Sequence, residues 1–248
     1  MSGHSKWHNI REKKGKMDAK RGKMFTKIAK EIFMAVKEGG ADPEVNYRLK
    51  IAIGKAKEVN MPADNIKRTI DKATGAGGAE NYETIVYEGY GPNGVAIIIE
   101  VATDNRNRTA GEVRSLFSKY GGNLGETGCV GWMFAQKGLI TVDKTASEEE
   151  KLMEVAINAG ASDFKTLESS YEIETEISDF HKVKTALEDN KIKLESANII
   201  MIPQNTVELN KDQASSILKL MEAIEEHDDV QQVHANFDIP EEILQELA

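Results

Sequence analysis

The sequence predicts an α+β protein of three domains: an N-terminal α-helical bundle with a basic arm, then two α/β domains, at least one of them ferredoxin-like. Three observations predict it. The 248 residues exceed the roughly 100–200 of a single domain. Apolar residues recur at helical spacing through the first third, whereas strand-like runs alternate with helices afterwards. Between the two regimes lies a Gly/Ala-only stretch, Gly75 to Ala79, which reads as a flexible hinge.

The elements follow in order. Residues 1–23 are rich in Lys and Arg and poor in large apolar side chains, so they predict an extended or weakly helical arm. Phe25, Ile28, Ala29, Ile32, Phe33 and Val36 mark one face of an amphipathic helix that Gly39 and Gly40 end. Leu49, Ala52, Ile53, Ala56 and Val59 mark a second helix. A third opens with Pro62 and Asp64, residues suited to a first turn, and carries Ile66 and Ile70. Beyond the hinge, strands are expected at 84–87 and 95–102 and a helix at 110–120. Residues 139–202 then read β, α, β, β, α, β, the order of a split βαβ or ferredoxin-like unit. A last strand (206–209), helix (212–227) and strand (230–237) need a sheet to join, and the simplest solution pairs them with 84–134. The expected division is therefore 1–78, a discontinuous 79–135 plus 204–248, and an inserted 136–203.

Charge is distributed unevenly. The chain carries −9 overall, yet residues 1–75 hold 18 basic against 9 acidic side chains, net +9, and the remainder holds 14 against 32, net −18. A basic element on an acidic body points to phosphate partners for the first part alone. The first thirty residues hold ten Lys or Arg against Glu12 and Asp18. Such an arm binds phosphates with steep salt dependence and little sequence discrimination. Its candidate contacts are Lys6, Arg11, Lys13, Lys14, Lys16, Lys20, Arg21 and Lys23, with Trp7 either stacking on an unpaired base or anchoring the arm to the bundle. A second candidate is the polar loop Asp104 to Thr109, where Arg106 and Arg108 can meet phosphate or a protein carboxylate and Asp104 and Asn105 can cap the next helix.

Other patterns carry less. Gly89 to Gly94 matches a dinucleotide fingerprint, but strand-like Val95 to Ile99 follows where that fingerprint needs a helix, so a hairpin loop is expected. His4 and His8 share helical spacing, yet their cationic neighbours disfavour a metal, and none is assigned. Cys129, the one cysteine, excludes an internal disulfide and reads as a small residue in a strand-like setting. No nucleophile elbow, P-loop or paired Cys-His motif is present, so the chain is read as a non-enzyme without catalytic residues or cofactor. No apolar run reaches the roughly 18 residues of a membrane helix, and no secretory signal opens the chain. A reducing, cytoplasmic setting and a monomer are expected.

With those residues placed, Gly3 to Trp7 (GHSKW), Asp18 to Lys23 (DAKRGK), Tyr87 to Pro92 (YEGYGP), Asp104 to Thr109 (DNRNRT) and Gly121 to Gly125 (GGNLG) together resemble the YebC/PmpR family, in order and over nearly the whole chain. The resemblance implies three domains, one α-helical and two α/β. It also implies a role described in the family as probable transcriptional regulation through DNA, or, for a mitochondrial relative, translational activation; bacterial members are linked to ribosomes stalled on proline-rich stretches. Two functions follow as expectations. One is a DNA-binding regulator. The other, slightly favoured because it uses both halves of the charge asymmetry, is a translation factor whose arm enters ribosomal RNA while the acidic body meets ribosomal proteins. An enzyme acting on nucleic acid through an unrecognised site is the alternative.

Overall fold

Helix α1 (Met17–Gly39) starts where alanine and straight-chain Lys and Arg, good helix formers, follow Asp18 in the first turn. The computed structural model describes residues 17–75, 82–167, 169–240, 242, 243 and 246. Within them the helix begins at Met17, eight residues before the apolar periodicity begins at Phe25, so of the extended or weakly helical arm expected for residues 1–23, residues 17–23 belong to α1. Ile28, Ile32 and Val36 line one stripe and pack against α2 (Tyr47–Glu58) and α3 (Ala63–Thr74). Gly40, at φ +84°, terminates α1. Buried Asn46 joins the first two helices. Its Oδ1 accepts from Leu49 N (3.0 Å) as the α2 cap, and its Nδ2 donates to the carbonyls of Ala35 and Gly40 (both 2.7 Å).

A four-stranded antiparallel sheet, in order β3 (Asn123–Leu124), β1 (Glu83–Tyr90), β2 (Ala96–Thr103), β9 (Val230–Ala235), forms the next layer. The Gly89 to Gly94 motif runs from the last two residues of β1 into the β1–β2 hairpin connection, closed by Gly91 N donating to Val95 O at 2.8 Å, so it lies in a hairpin as the sequence implied. Strand β2 is central and buried on both faces. Ile97, Ile99 and Val101 lie under α4 (Arg106–Lys119) and α7 (Lys211–Glu225), while Ala96 and Ile98 lie against Val130 and Phe134. The chain returns after more than 120 residues to lay β9 beside β2. The short strand β8 (Val207–Glu208) does not join this sheet as expected; it pairs in parallel with β10 (Phe237–Asp238) as a separate ribbon.

Between the two passes lies a second sheet, in order β5 (Asp163–Thr166), β6 (Ser170–Thr175), β4 (Phe134–Asp143), β7 (Ser196–Pro203). Helices α5 (Glu149–Ala159) and α6 (Ile177–Asp189) bury Leu152, Val183 and Leu187 on Ile140, Val142 and Ile173. This βαββαβ order is the ferredoxin-like arrangement. The helical layer touches it where Tyr47 Oη and His181 Nδ1 stand 3.2 Å apart. Among the described residues, no helix is long and apolar enough to cross a membrane.

Candidate nucleic-acid interface and the acidic turn beside it

Lys23, Lys27 and Lys30 fall at i, i+4 and i+7 of α1, on the side opposite its core stripe. That side lies against the carboxyl end of α7. Lys27 Nζ donates to Glu225 O at 2.6 Å, Lys23 Nζ to Glu226 O at 3.2 Å and Lys30 Nζ to Asp228 O at 3.0 Å. The last carbonyls of a helix have no partner within it and carry its partial negative charge. Lys27 and Lys23 satisfy both needs at the last helical residue and its cap, and Lys30 reaches the turn just beyond. Each cation near a helix C-terminus contributes roughly 0.3–1 kcal/mol, rising to about 2 when partly buried. Burial drives the Lys27 ammonium down to about 8, against the attraction of Glu225 and Asp228.

Asp229, buried just before β9, collects three donors from two helices, α1 and α4. Its Oδ1 accepts from Lys30 Nζ at 2.6 Å, and its Oδ2 from Thr109 Oγ1 at 2.6 Å and Arg108 Nη2 at 2.9 Å. Burial by itself would raise this carboxyl. The hydrogen bonds from Lys30, Thr109 and Arg108 outweigh burial and hold it well below the usual carboxylate range. Asn105 caps α4 by accepting from Arg108 N at 3.1 Å, and Asp104 accepts from Arg108 Nη2 at 2.8 Å, so the capping role read for this loop is present. Lys30, Asp104, Arg108 and Asp229 line a cleft of about 600 Å³ that also includes Tyr82, Glu112, Glu226 and His227.

Glu112, His227 and Asp229 bring ligand-type atoms within 4.8 Å of one another. Each already has protein partners. His227 Nδ1 accepts from Asp229 N at 3.1 Å, leaving Nε2 to donate to Glu112 Oε2 at 2.8 Å, while Lys30 and Arg108 hold the Asp229 carboxylate. Two adjacent cations disfavour a further positive ion, so the cluster is a hydrogen-bonded network.

A family model described as the TACO1/YebC protein N-terminal domain matches residues 5–76, and one described as the TACO1/YebC second and third domain matches 82–237. The chain belongs to the TACO1/YebC family. It is 57% identical over 241 residues to a protein of Pelotomaculum thermopropionicum named "probable transcriptional regulatory protein", with 96% of this chain and 99% of that protein covered. A relative in Natranaerobius thermophilus with the same name is 55% identical over 248 residues, 99% of each. A crystal structure of a conserved hypothetical protein from Aquifex aeolicus superposes with a TM-score of 0.84 at 48% identity, covering 93% of this chain and 95% of that one.

In this TACO1/YebC chain the candidate residues separate into groups. Lys6, Trp7, Arg11, Lys13, Lys14 and Lys16 lie outside the described residues. Lys20 and Arg21 sit in the first turns of α1. Lys23 faces the α7 terminus, and Arg108, with 43% of its side chain exposed, is bound to Asp104 and Asp229; protein carboxylates therefore engage the second arginine of the loop. Arg106 is exposed with no carboxylate within salt-bridge distance among the described residues. The same holds for Lys57, Lys67, Arg68 and Arg114, which periodicity did not single out. The net positive balance of residues 1–75 was the signal that could have found the first three.

Cys129 occupies a turn rather than a strand. That turn is organised by Glu88, a buried carboxylate that sequence reading passed over inside YEGYGP. Its oxygens accept from Gly128 N (2.8 Å), Val130 N (2.8 Å) and Gly131 N (2.6 Å). Burial would raise the Glu88 carboxyl, but these three amides hold it below its ordinary value.

Proposed function

We propose that this chain is a non-enzymatic nucleic-acid-binding regulator of gene expression that engages phosphate with residues 1–78, carried on a body formed by 79–135 with 204–248 and by the inserted 136–203. The observation that carries the reading is the surface of α2 and α3. Lys57, Lys67 and Arg68 stand exposed there without acidic partners among the described residues, on the one part of the chain whose net charge is positive. Phosphate is the counter-charge such a surface lacks. The relatives named "probable transcriptional regulatory protein" support DNA as the target. In this reading Arg106 extends the contact, whereas Lys23, Lys27 and Lys30 hold the helical layer to the body and Arg108 holds Asp229 in place within it.

A ribosome-associated translation factor is the second reading, favoured by the −18 balance beyond residue 75, which suits basic protein partners and repels phosphate. Duplex DNA titration, run beside gradient sedimentation of lysate at two salt concentrations, separates the two. Site-specific DNA binding without ribosome co-migration supports the regulator. Co-migration with DNA binding indifferent to sequence supports the translation factor. Absence of both overturns nucleic-acid binding.

A further inference from the structure

Trp132 is 65% exposed, the most exposed aromatic among the described large apolar residues. Solvent-facing indoles are costly, and this one stands on a platform built to hold it still. It occupies a single 3-10 turn, Gly131–Met133, immediately before β4. The preceding loop is fixed from below by the buried Glu88 carboxylate through three backbone amides. Gly131 approaches so closely that a Cβ there would meet the Glu88 oxygens at 3.3 Å. From the other side, Gln204 N donates to Met133 O at 2.8 Å, tying the turn to the end of β7. The indole Nε1–H donates to Cys129 O at 3.2 Å. Its one polar group is thus satisfied internally, and the exposed remainder of the side chain is aromatic surface.

The surroundings decide what that face fits. The segment from Gly121 to Gln136 contains no Lys or Arg and one charged residue, exposed Glu126; the segment from Glu195 to Asn210 that includes β7 contains no Lys or Arg and two acids, Glu195 and Glu208. Lys137, next along β4, is paired with Glu176. For a nucleobase stacked here, neither of these two segments offers a cation to receive its phosphates. A guanidinium meets the opposite situation: it is planar, stacks on an aromatic face, is weakly hydrated and is drawn by nearby carboxylates.

The geometry points to Trp132 as a fixed docking platform for an arginine-rich protein segment, with an arginine side chain stacked on the indole and Glu126, exposed in the same turn where its carbonyl accepts from Cys129 N, supplying charge complementarity. This interface is separate from the nucleic-acid surface and does not depend on that reading. It places a basic protein partner on the body.

The test uses the full chain with Trp7→Phe, so that Trp132 is the sole tryptophan fluorophore. A short arginine-rich peptide, a lysine peptide of equal charge and length, and an oligothymidylate are titrated at physiological ionic strength. The arginine peptide is expected to change Trp132 emission saturably and to bind several-fold more tightly than the lysine peptide. By anisotropy of labelled arginine peptide, Trp132→Ala is expected to weaken binding about tenfold, equivalent to about 1.4 kcal/mol, with Trp132→Phe intermediate and Glu126→Gln weaker than the parent. Circular dichroism of each variant checks the fold, and because the indole is mostly outside the core the Trp132→Ala spectrum should match the parent. Equal peptide affinity of Trp132→Ala and the parent overturns the proposal, as does equal affinity for the two peptides. Emission that responds to oligothymidylate but not to the peptide assigns the platform to nucleic acid and overturns it too. A change with protein concentration alone assigns it to a second copy and likewise overturns it. Unchanged duplex DNA affinity in Trp132→Ala is expected whichever way the nucleic-acid reading falls.

Discussion

Asp229→Asn tests whether the acidic turn holds the helical layer in place. The side chain is 5% exposed and that of Lys30 is 11% exposed, so the substitution takes the charge partner from an almost fully buried ammonium. Asparagine preserves the shape but replaces one acceptor oxygen by a donor amide. Whichever way the amide turns, it faces either Lys30 or the Arg108 and Thr109 donors. Breaking a buried pair from one side costs about 3–5 kcal/mol. The Arg108 contribution, from a half-exposed side chain, adds no more than about 1 kcal/mol. A loss of about 3–6 kcal/mol is therefore expected in urea unfolding at pH 7, followed by circular dichroism. At a slope of about 1–3 kcal/mol per molar urea, the midpoint falls by at least about 1 M. A double-mutant cycle with Lys30→Met should return a coupling of about 2 kcal/mol. Because the folded carboxyl titrates below its ordinary 3.8, its stabilisation is fully present at neutral pH and is lost as pH falls below about 4, so the parent and variant curves should converge in acid. A loss under about 1 kcal/mol, or strict additivity with Lys30→Met, would refute the reasoning.

Lys27 gives the same slope in a different window: its folded value, about 8, lies below the ordinary 10.5, so stability should rise as pH climbs from 8 towards 10.5, and urea midpoints for Lys27→Met should lack that rise. Glu88→Gln puts an amide donor among three backbone donors and should cost about 2 kcal/mol, with Trp132 emission in the Trp7→Phe background reporting a loosened turn; unchanged stability and emission would contradict the platform. Lys67→Ala and Arg68→Ala should each flatten the log-log salt dependence of duplex DNA affinity by about one, measured by anisotropy. Arg108→Ala, its guanidinium already paired with Asp104 and Asp229, should leave that slope unchanged, and a flattening as large as that of Arg68→Ala would place Arg108 on phosphate instead.

Much of this molecule is written locally in its sequence. The apolar spacing of Ile28, Ile32 and Val36 specified a helix because side chains three and four apart share a face. The βαββαβ order of the second sheet was legible for the same reason, since periods of 2 and 3.6 are properties of short segments. Asn105 could be read as a cap from its place before α4. The start of α1 at Met17 was hidden because charged helix formers carry no apolar period.

What the tertiary structure alone decided is which charges meet. The sequence established that residues 1–75 are basic and the rest acidic. It did not reveal that Lys23, Lys27 and Lys30 reach carbonyls about 200 residues away, or that Arg108 finds Asp229 across 121 positions. Nor did it mark Glu88, one carboxylate among many until burial surrounded it with three amides. A Coulomb interaction and a hydrogen bond depend on separation in space and on the surrounding dielectric. Along the chain, a lysine that holds two layers together is indistinguishable from one that waits for phosphate.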